Sequence, residues 1–434
     1  MQAVIMAGGK GTRLLSITND EIPKPMVKVC GKPILQWQIE NLHSNGIDDF
    51  LLVIGHLGEK IKEYFKDGSR FGVTIKYYEE TIPLGTAGSL PYIGDSLEEN
   101  FLLVLGDLIF DVDISRILEI HQRNNALATL MVHPNTHPND SDIVLCNSEN
   151  KITGFLSKNG QRSFWYKNRV NAGIYIINKN IIKNISKGKS VDLEKDVLMP
   201  LANKGENLYC YSTSEYLRDV GTPERIAAAE MDIINGYVKS RNLRNKQKCI
   251  FLDRDGTINK YCGLLFKEEA FILEETVVEA IKKINESGYL AIVITNQPVV
   301  ARGLCSVDDV ENIHNKMETL LGEAGTYLDY IVFCPHHPDK GYDGENPVYK
   351  IKCNCRKPNI GMIEFCTKKF NIDLNSSWLI GDTTVDIKTG KNAKLNTALV
   401  LTGEAGSDKK YDVQPDVIGK NLLEVVQKIL GGNK

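Results

Sequence analysis

Short apolar runs that end on glycine, threonine or a carboxylate recur along the chain, with helical stretches between them. Ala3-Val-Ile-Met6 runs into Gly8-Gly9, Phe101-Leu-Leu-Val-Leu105 into Gly106-Asp107, and Cys249-Ile-Phe-Leu252 into Asp253-Arg-Asp255. Leu290-Ala-Ile-Val-Ile294 runs into Thr295-Asn296, and Trp378-Leu-Ile-Gly381 into Asp382. Uninterrupted apolar runs of this length, closed by turn residues, read as parallel strands buried on both faces. Their alternation with helical stretches predicts an α/β protein of doubly wound sheets. Ligands sit at the carboxyl ends of such strands, where the residues named above fall.

At 434 residues the chain exceeds one ordinary core, so two domains are expected. A helix starting at Pro223 leads into the basic stretch Lys239-Ser-Arg-Asn-Leu-Arg-Asn-Lys-Gln-Lys248, read as a solvated linker. The expected domains are therefore 1–240 and 249–434, with 241–248 between them. Composition is globular, 42% hydrophobic and 25% charged, and the net charge of −3 argues against a nucleic-acid binder. No apolar run approaches the length of a membrane span. A strand-like start at Gln2 leaves no room for a signal peptide, which places the expected protein in the cytoplasm.

Three of the ten cysteines lie close to histidines. Cys334-Pro-His336 and Cys353-Asn-Cys355 supply three thiolates and an imidazole, a complete tetrahedral shell, so structural zinc is expected. His337 is expected at the surface rather than as a ligand. Between the two pairs, Pro338 to Pro347 is too rich in Gly, Pro and Asp to bury a core, and a metal staple would fix it.

Asp253 and Asp255, spaced i, i+2 at a strand end, point to one side. They can share a cation, or one can attack while the other handles protons. Near the N-terminus, Gly8, Gly9 and Gly11 offer N–H groups to phosphate oxygens, with Lys10 and Arg13 adding positive charge. The turn is not a Walker A motif. It is not the dinucleotide fingerprint either, because Leu14 occupies the third glycine position.

The glycine turn is followed by Ile22-Pro-Lys-Pro-Met26 and Gly31-Lys-Pro-Ile34. In that order these motifs resemble the signature of sugar-1-phosphate nucleotidyltransferases. The resemblance implies a Rossmann-like domain in which Gly8, Gly9, Gly11 and Thr12, with Arg13, hold the triphosphate. Lys24 would neutralise charge at the phosphorus under attack. Pro83-Leu-Gly-Thr-Ala-Gly88 resembles the loop around the nucleobase, which implies roles for Gly85, Thr86 and Gly88. Asp107, and Asp219 in Arg218-Asp-Val-Gly-Thr-Pro-Glu224, would share one Mg²⁺. Val170-Asn-Ala-Gly-Ile-Tyr-Ile177 resembles the sugar-contacting strand, with Asn171 and Gly173 nearest the ligand. Lys158 would hold the sugar phosphate. Ser157 departs from the family's usual Glu before that lysine, and with it the sugar contact is in question.

The second half resembles haloacid-dehalogenase-type (HAD) phosphatases. By that resemblance Asp253 is the nucleophile and Asp255 the acid and base. Thr295 and Lys357 would hold the phosphoryl group, Asp382 would join Asp253 and Asp255 on Mg²⁺, and Asp386 would assist from behind. A cysteine loop directly before Arg356-Lys-Pro358 is similar to heptose 1,7-bisphosphate and histidinol phosphatases. That similarity implies Arg302 and Arg356 on the second phosphate, with Asn296 beside the substrate. Pro298 and Val299 depart from the small residue and glycine usual there.

The pairing implies two consecutive steps on one chain. The phosphatase would leave heptose 1-phosphate, and the transferase would activate it, resembling guanylyltransferases that make GDP-heptose. Implied partners are a nucleoside triphosphate, GTP favoured, and sugar phosphates, without nucleic acid or membrane; self-association into a homo-oligomer stays open. Two alternatives remain: mannose or glucose as the sugar with another phosphatase substrate, or one half as a non-catalytic binding module.

Overall fold

The computed structural model describes residues 1–9, 14–160 and 162–432, and among these the first unit is carried by eleven strands of four or more residues, beside the two-residue pair Lys28–Val29 and Lys32–Pro33. They are β1 (Ala3–Met6), β2 (Asp49–Ile54), β3 (Thr74–Glu79), β4 (Asn100–Leu105), β5 (Leu108–Asp111), β6 (Ala128–His133), β7 (Ile143–Cys146), β8 (Ile152–Leu156), β9 (Val170–Asn178), β10 (Leu208–Ser212) and β11 (Tyr216–Asp219). The main sheet runs β8-β7-β9-β4-β1-β2-β3, with β6 joining β9 to β10. Strands β4, β1, β2 and β3 are parallel to one another, and β9 is antiparallel to β4 and β6. The sheet is thus mixed rather than wholly parallel. Sequence alone could not separate the two arrangements, because a strand covered on both faces is apolar at every position whichever way it runs.

The parallel centre shows why the apolar runs are uninterrupted. Ala3 and Ile5 point into one core with Phe50, Leu52, Leu102 and Val104; Val4 points into the other with Leu51, Val53 and Leu103. Full burial of each such large apolar side chain stabilises the fold by about 1.5–3 kcal/mol. The sheet order puts the turns after β1, β2, β3 and β4 side by side along one edge.

The second unit is a six-stranded parallel sheet. Its strands are β12 (Cys249–Leu252), β13 (Leu290–Asn296), β14 (Tyr330–Cys334), β15 (Trp378–Gly381), β16 (Asn396–Val400) and β17 (Val417–Gly419). They run in the order β14-β13-β12-β15-β16-β17. Ile250 and Leu252 face a core built with α1 (Val277–Glu286), α2 (Val307–Glu323) and α3 (Leu422–Gly431). Cys249 and Phe251 face the opposite core, built with α4 (Gly361–Phe370). Helices on both faces make this the doubly wound arrangement that the apolar runs predict.

Helix α2 begins with a capping box. Ser306 Oγ accepts from the Asp309 N–H and the Asp309 carboxylate accepts from the Ser306 N–H, a device worth about 1 kcal/mol. Residues 134–141 and 158–168 also group with the second unit. Tyr166 exchanges backbone bonds with Thr319 Oγ1 on α2 at 3.0 and 3.1 Å. No helix among the described residues is long and apolar enough to cross a membrane.

Candidate active sites

In the first unit the chain leaves β1 through Ala7-Gly8-Gly9, while Lys10, Gly11, Thr12 and Arg13 lie outside the described residues. A side chain on Gly8 would meet a carboxylate oxygen of Glu80 at 2.9 Å. Lys24 Nζ lies 2.5 Å from Asp107 Oδ2. Asp107 follows β4 in the turn to β5, and β11 pairs antiparallel with β5 so that Asp219 stands opposite Leu108. The Val220 N–H donates to the Asp107 carbonyl at 2.9 Å, which closes this corner. Asp219 in turn pairs with Arg225 from the first turn of the helix at Pro223–Ile234. The fold therefore brings Lys24, Asp107 and Asp219 together. Two carboxylates at one corner of the fold, each paired with a cation of this chain, are the kind of donor a hard divalent cation takes.

Gly85, Thr86 and Gly88 form a tight platform. Gly85 has φ +77°, and a Cβ on it would fall 2.5 Å from the Val191 carbonyl oxygen. One on Gly88 would fall 2.6 Å from that of Lys189. Thr86 Oγ1 accepts from the Leu193 N–H at 2.8 Å. These residues dock the loop on residues 189–193, a packing reason for glycine that needs no ligand.

Strand β9 bulges between Asn171 and Tyr175, with Gly173 at φ +74° inside the bulge. Asn171 Nδ2 donates to the Tyr175 hydroxyl at 2.8 Å, and that hydroxyl donates to Glu194 Oε1 at 3.0 Å. Burial, the leading cause, raises the Glu194 pKa. Sequence reasoning missed Glu194, although Val191-Asp-Leu-Glu-Lys-Asp196 interrupts an apolar pattern with acids. Lys158 sits on an exposed turn that groups with the second unit, whereas Asn171 and Gly173 belong to the first.

The second unit gathers its residues more tightly. Lys357 Nζ lies 2.9 Å from Asp253 Oδ1 and 2.5 Å from Asp386 Oδ1. Burial opposes the ammonium, but Asp253 and Asp386 outweigh it and raise its pKa. Asp386 also serves as the third residue of the helix Thr384–Asn392, closing a capping box with Thr383. Asp253, Asp382 and Asp386 each bring a carboxylate oxygen within 4.8 Å of the others. Burial pushes Asp253 up to about 6 against the pull of Lys357. It pushes Asp382 up to about 8, with Asp253 and Asp386 adding to it. A crowd of buried carboxylates with raised pKa values fits a divalent cation, whose charge would restore the ionised forms. Gly256, at φ +75°, makes room for this: a Cβ would lie 2.2 Å from Asp382 Oδ2.

Asp255 is held by donors on both oxygens. Arg254, wholly buried, reaches Oδ1 and Oδ2 at 2.9 Å through Nη2. Gln297 Nε2 reaches Oδ2 at 2.8 Å and Thr295 Oγ1 at 3.0 Å, and Asn259 Nδ2 reaches Oδ1 at 3.1 Å. Arg254 Nη1 lies 3.2 Å from His314 Nε2. A guanidinium only donates, so this imidazole nitrogen accepts. Burial first, then Arg254, lowers the His314 pKa and keeps the ring neutral. Gln297, Arg254 and His314 are absent from the sequence-derived set; the only signal was adjacency of Gln297 to Thr295-Asn296. Asn296 is committed to the backbone of Lys357, accepting from its N–H at 3.0 Å and donating to its carbonyl at 3.2 Å.

Cys334, His336, Cys353 and Cys355 converge. The Sγ atoms of Cys355 and Cys334 are 3.2 Å apart, as are those of Cys355 and Cys353; Cys334 and Cys353 are 3.5 Å apart. His336 Nδ1 lies 3.3 Å from Cys355 Sγ and 3.6 Å from Cys334 Sγ. A tetrahedron with metal–sulfur bonds of about 2.3 Å has edges of about 3.7 Å, so the four donors fit one metal ion after small outward shifts. Cys355 is held down, chiefly by the hydrogen bond from Cys334, and the same bond with burial pushes the Cys334 thiol up, so without a metal the pair shares one proton.

His337 is buried, not at the surface as expected: its backbone N–H donates to the Tyr349 carbonyl and its ring meets Tyr342 edge-on. Arg302 stacks over Tyr342 at 4.4 Å, and its buried Nε has no partner. Arg356 Nη1 donates to the His336 carbonyl at 3.0 Å, which ties it to the cysteine cluster. The unusual Val299 packs with Val300 and Val310 in a small core, so that departure has a packing reason.

Residues 2–236 match the nucleotidyl transferase family, and residues 354–425 match the HAD-hydrolase-like family. The chain is 31% identical over 246 residues to a mannose-1-phosphate guanylyltransferase of Mycobacterium tuberculosis, covering 56% of this chain and 67% of that protein. It is 40% identical over 159 residues to a D-glycero-beta-D-manno-heptose-1,7-bisphosphate 7-phosphatase of Pasteurella multocida, covering 36% and 84%. It is 37% identical over 186 residues to a D-glycero-alpha-D-manno-heptose-1,7-bisphosphate 7-phosphatase of Burkholderia mallei, covering 43% and 95%.

Proposed function

This chain belongs to the nucleotidyl transferase family in its first half and to the heptose-bisphosphate phosphatase family in its second, and from that pairing we propose a bifunctional enzyme of activated-heptose synthesis. The second half removes the 7-phosphate of D-glycero-D-manno-heptose 1,7-bisphosphate. The first half transfers a nucleotidyl group, GMP from GTP, to the resulting heptose 1-phosphate and releases pyrophosphate. The observation that carries the reading is the conjunction itself, because the product of one half is the class of substrate the other half takes.

In the phosphatase half Asp253 attacks phosphorus, and Asp255 gives its proton to the departing sugar oxygen. Water then attacks the aspartyl-phosphate, Asp255 takes the water's proton, and Asp253 is freed with release of phosphate. Thr295 and Lys357 hold the phosphoryl oxygens, and Asn296 fixes the Lys357 backbone. Arg302 and Arg356 clamp the second phosphate. Cys334, His336, Cys353 and Cys355 would hold a zinc ion, which would fix the loop that carries Arg356. In the transferase half the glycine turn with Arg13 binds the triphosphate, Lys24 offsets charge at the reacting phosphorus, and Asn171 and Gly173 meet the sugar. Lys158, from its motif, is the residue for the sugar phosphate. Mg²⁺, bound by Asp107 and Asp219 in one half and by Asp253 and Asp382, with Asp386 beside them, in the other, would supply neutralising charge at phosphate oxygens; Asp255, expected from the motif as a further ligand, has its carboxylate occupied by Arg254, Gln297 and Asn259 and keeps the acid–base role. Domain limits near 240 and 249 and a cytoplasmic setting, where nucleoside triphosphates are made, complete the reading.

The test is phosphate release from heptose 1,7-bisphosphate with Mg²⁺, then pyrophosphate release on adding GTP, ATP, CTP or UTP. Phosphate followed by GTP-dependent pyrophosphate is expected. A folded, zinc-loaded protein that releases no phosphate would sink the heptose reading.

A further inference from the structure

The rim of the phosphatase site carries two side chains that the reaction above does not use. Tyr261 and Glu404 come from separate loops, after β12 and after β16, and the Tyr261 hydroxyl donates to Glu404 Oε1 at 2.9 Å. Both loops are pinned to the reacting carboxylates. The Glu404 N–H donates to Asp382 Oδ2 at 2.7 Å, and the Gly406 N–H donates to the Asp382 carbonyl at 2.7 Å. Thr402 Oγ1 donates to the Gly256 carbonyl at 2.6 Å, which stitches this loop to the turn after Asp255. On the other side, Asn259 Nδ2 donates to Asp255 Oδ1 at 3.1 Å and to the Lys260 carbonyl at 3.0 Å, directly before Tyr261. The bridge therefore stands beside both Asp255 and Asp382. Glu404, the leading cause, and burial push the Tyr261 pKa up to about 12, with the charges of Asp382 and Asp255 adding to them.

The leaving group has to lie along this bridge. Asp255 gives its proton to the departing oxygen, so the rest of the ester extends past Asp255, where Tyr261 is 46% exposed. A phenol and a carboxylate bonded to each other within reach of water gain little over their bonds to water, so a ligand can take over both ends. Their chemistry says which ligand. An ionised carboxylate only accepts, while a phenol hydroxyl and a sugar hydroxyl both donate and accept. Glu404 can then accept from one sugar hydroxyl while Tyr261 donates to another, and the phenol ring covers the apolar C–H face between them. An ester without hydroxyls satisfies neither group. We propose that Tyr261 and Glu404 read the hydroxyls of the leaving group, so that the phosphatase half selects a polyhydroxylated phosphate ester. The inference rests on the phosphatase reading above and names how that site tells a sugar from other phosphate esters.

The experiment measures phosphate release by the full chain from heptose 1,7-bisphosphate and from hexanediol bisphosphate, which keeps two phosphates and a primary leaving oxygen but has no hydroxyl. Wild-type kcat/KM should favour the heptose by about tenfold or more, as sites built to bond a substrate hydroxyl reject the analogue without it. Tyr261→Phe and Glu404→Ala should each raise KM for the heptose by about three- to tenfold, with kcat held within about twofold. The preference for the heptose should fall by the same factor, because the diol ester never used either group. Tyr261→Phe removes one half-exposed hydroxyl and keeps the ring, which guards against a folding defect. A preference unchanged in both variants overturns the inference. An equal rise of KM on both esters overturns it too, by making the pair part of the fold. A wild-type preference near one overturns it without any variant. Release from hexanediol bisphosphate with none from the heptose overturns the heptose reading, and the inference with it.

Discussion

Lys357 keeps 2% of its side-chain surface exposed between Asp253 and Asp386, whereas Lys24 and Asp107 meet with 12% and 28% exposed. The difference matches the chemistry each half has to do. A phosphatase that uses a covalent nucleophile needs Asp253 fixed to within a fraction of an ångström before substrate arrives, and burial among Lys357, Asp382 and Asp386 fixes it. In the transfer proposed for the first half no group on the protein is the nucleophile. Two anionic substrates meet there, and in that reading Lys24 lets go of Asp107 and turns to phosphate. The greater exposure of this pair leaves water in reach of both partners, which weakens it relative to the fully buried Lys357 pairs. One site is built to hold still, the other to change partners.

The largest expected effect follows from the fixed site. Asp253→Asn should lower phosphate release by about 10⁴-fold or more, since removing a nucleophile removes the whole covalent route. Pyrophosphate release from GTP and heptose 1-phosphate should be unchanged. Loss of both activities would contradict independent sites and erase the comparison. The exchange site should respond less. Lys24→Ala should cost about 10²- to 10³-fold in pyrophosphate release, the scale of losing one charge-stabilising group, and leave phosphate release alone. An effect below about threefold would mean the Lys24–Asp107 pair is structural.

Gln297 sharpens the comparison within the fixed site. It bridges Asp255 and Thr295, so Gln297→Leu should misplace the acid without touching the nucleophile. Release from a sugar phosphate, whose leaving oxygen needs a proton, should fall about 10- to 100-fold. Release from p-nitrophenyl phosphate, whose leaving group needs none, should change by less than about twofold. Equal losses on both substrates would assign Gln297 to the fold. Smaller again is the effect of removing the ion from Cys334, His336, Cys353 and Cys355. Chelation should lower the melting temperature by about 5 °C or more and raise KM for the bisphosphate more than it lowers kcat. A melt unmoved by chelator, on protein with bound zinc measured beforehand, would remove the staple from the account.

The two regions were also unequally legible in the sequence. Asp253, Thr295 and Asp382 stand at ends of apolar parallel strands, so the strand pattern marked Asp253 at once and the motif resemblance then picked out the other two at positions the pattern also marks. The four metal-site residues sit in two tight pairs, which spacing alone can pair up. Lys24, Asp107 and Asp219 needed a motif resemblance, because a short strand pair between Leu108–Asp111 and Tyr216–Asp219 brings the two carboxylates together and neither strand has a distinctive pattern. Arg254, Gln297, His314 and Glu194 escaped for one reason. Each acts through a buried polar contact with a residue from another element, and such pairings have no period in the chain. The mixed direction of the first sheet was hidden likewise, since β9 is as apolar as its parallel neighbours.

The smallest effect probes why the fixed site is costly to hold together without a cation. Burial raises Asp382 to about 8, helped by Asp253 and Asp386, and raises Asp253 to about 6. In the unfolded chain both would titrate near about 4. Between about pH 4 and pH 8 the folded protein therefore binds more protons than the unfolded one, and stability falls as pH rises through that window. A divalent cation can take the place of those protons. Magnesium should then raise the melting temperature by about 3–5 °C near pH 8, where the carboxylates are ionised and repel one another, and by only about 1 °C near pH 5.5. Asp382→Asn, which imitates the protonated acid, should melt higher than wild type near pH 8 without magnesium and gain little from adding it. An equal magnesium effect at the two pH values would show that the carboxylates are ionised throughout and already compensated by Lys357, which would make the fixed site no more strained than the exchangeable one.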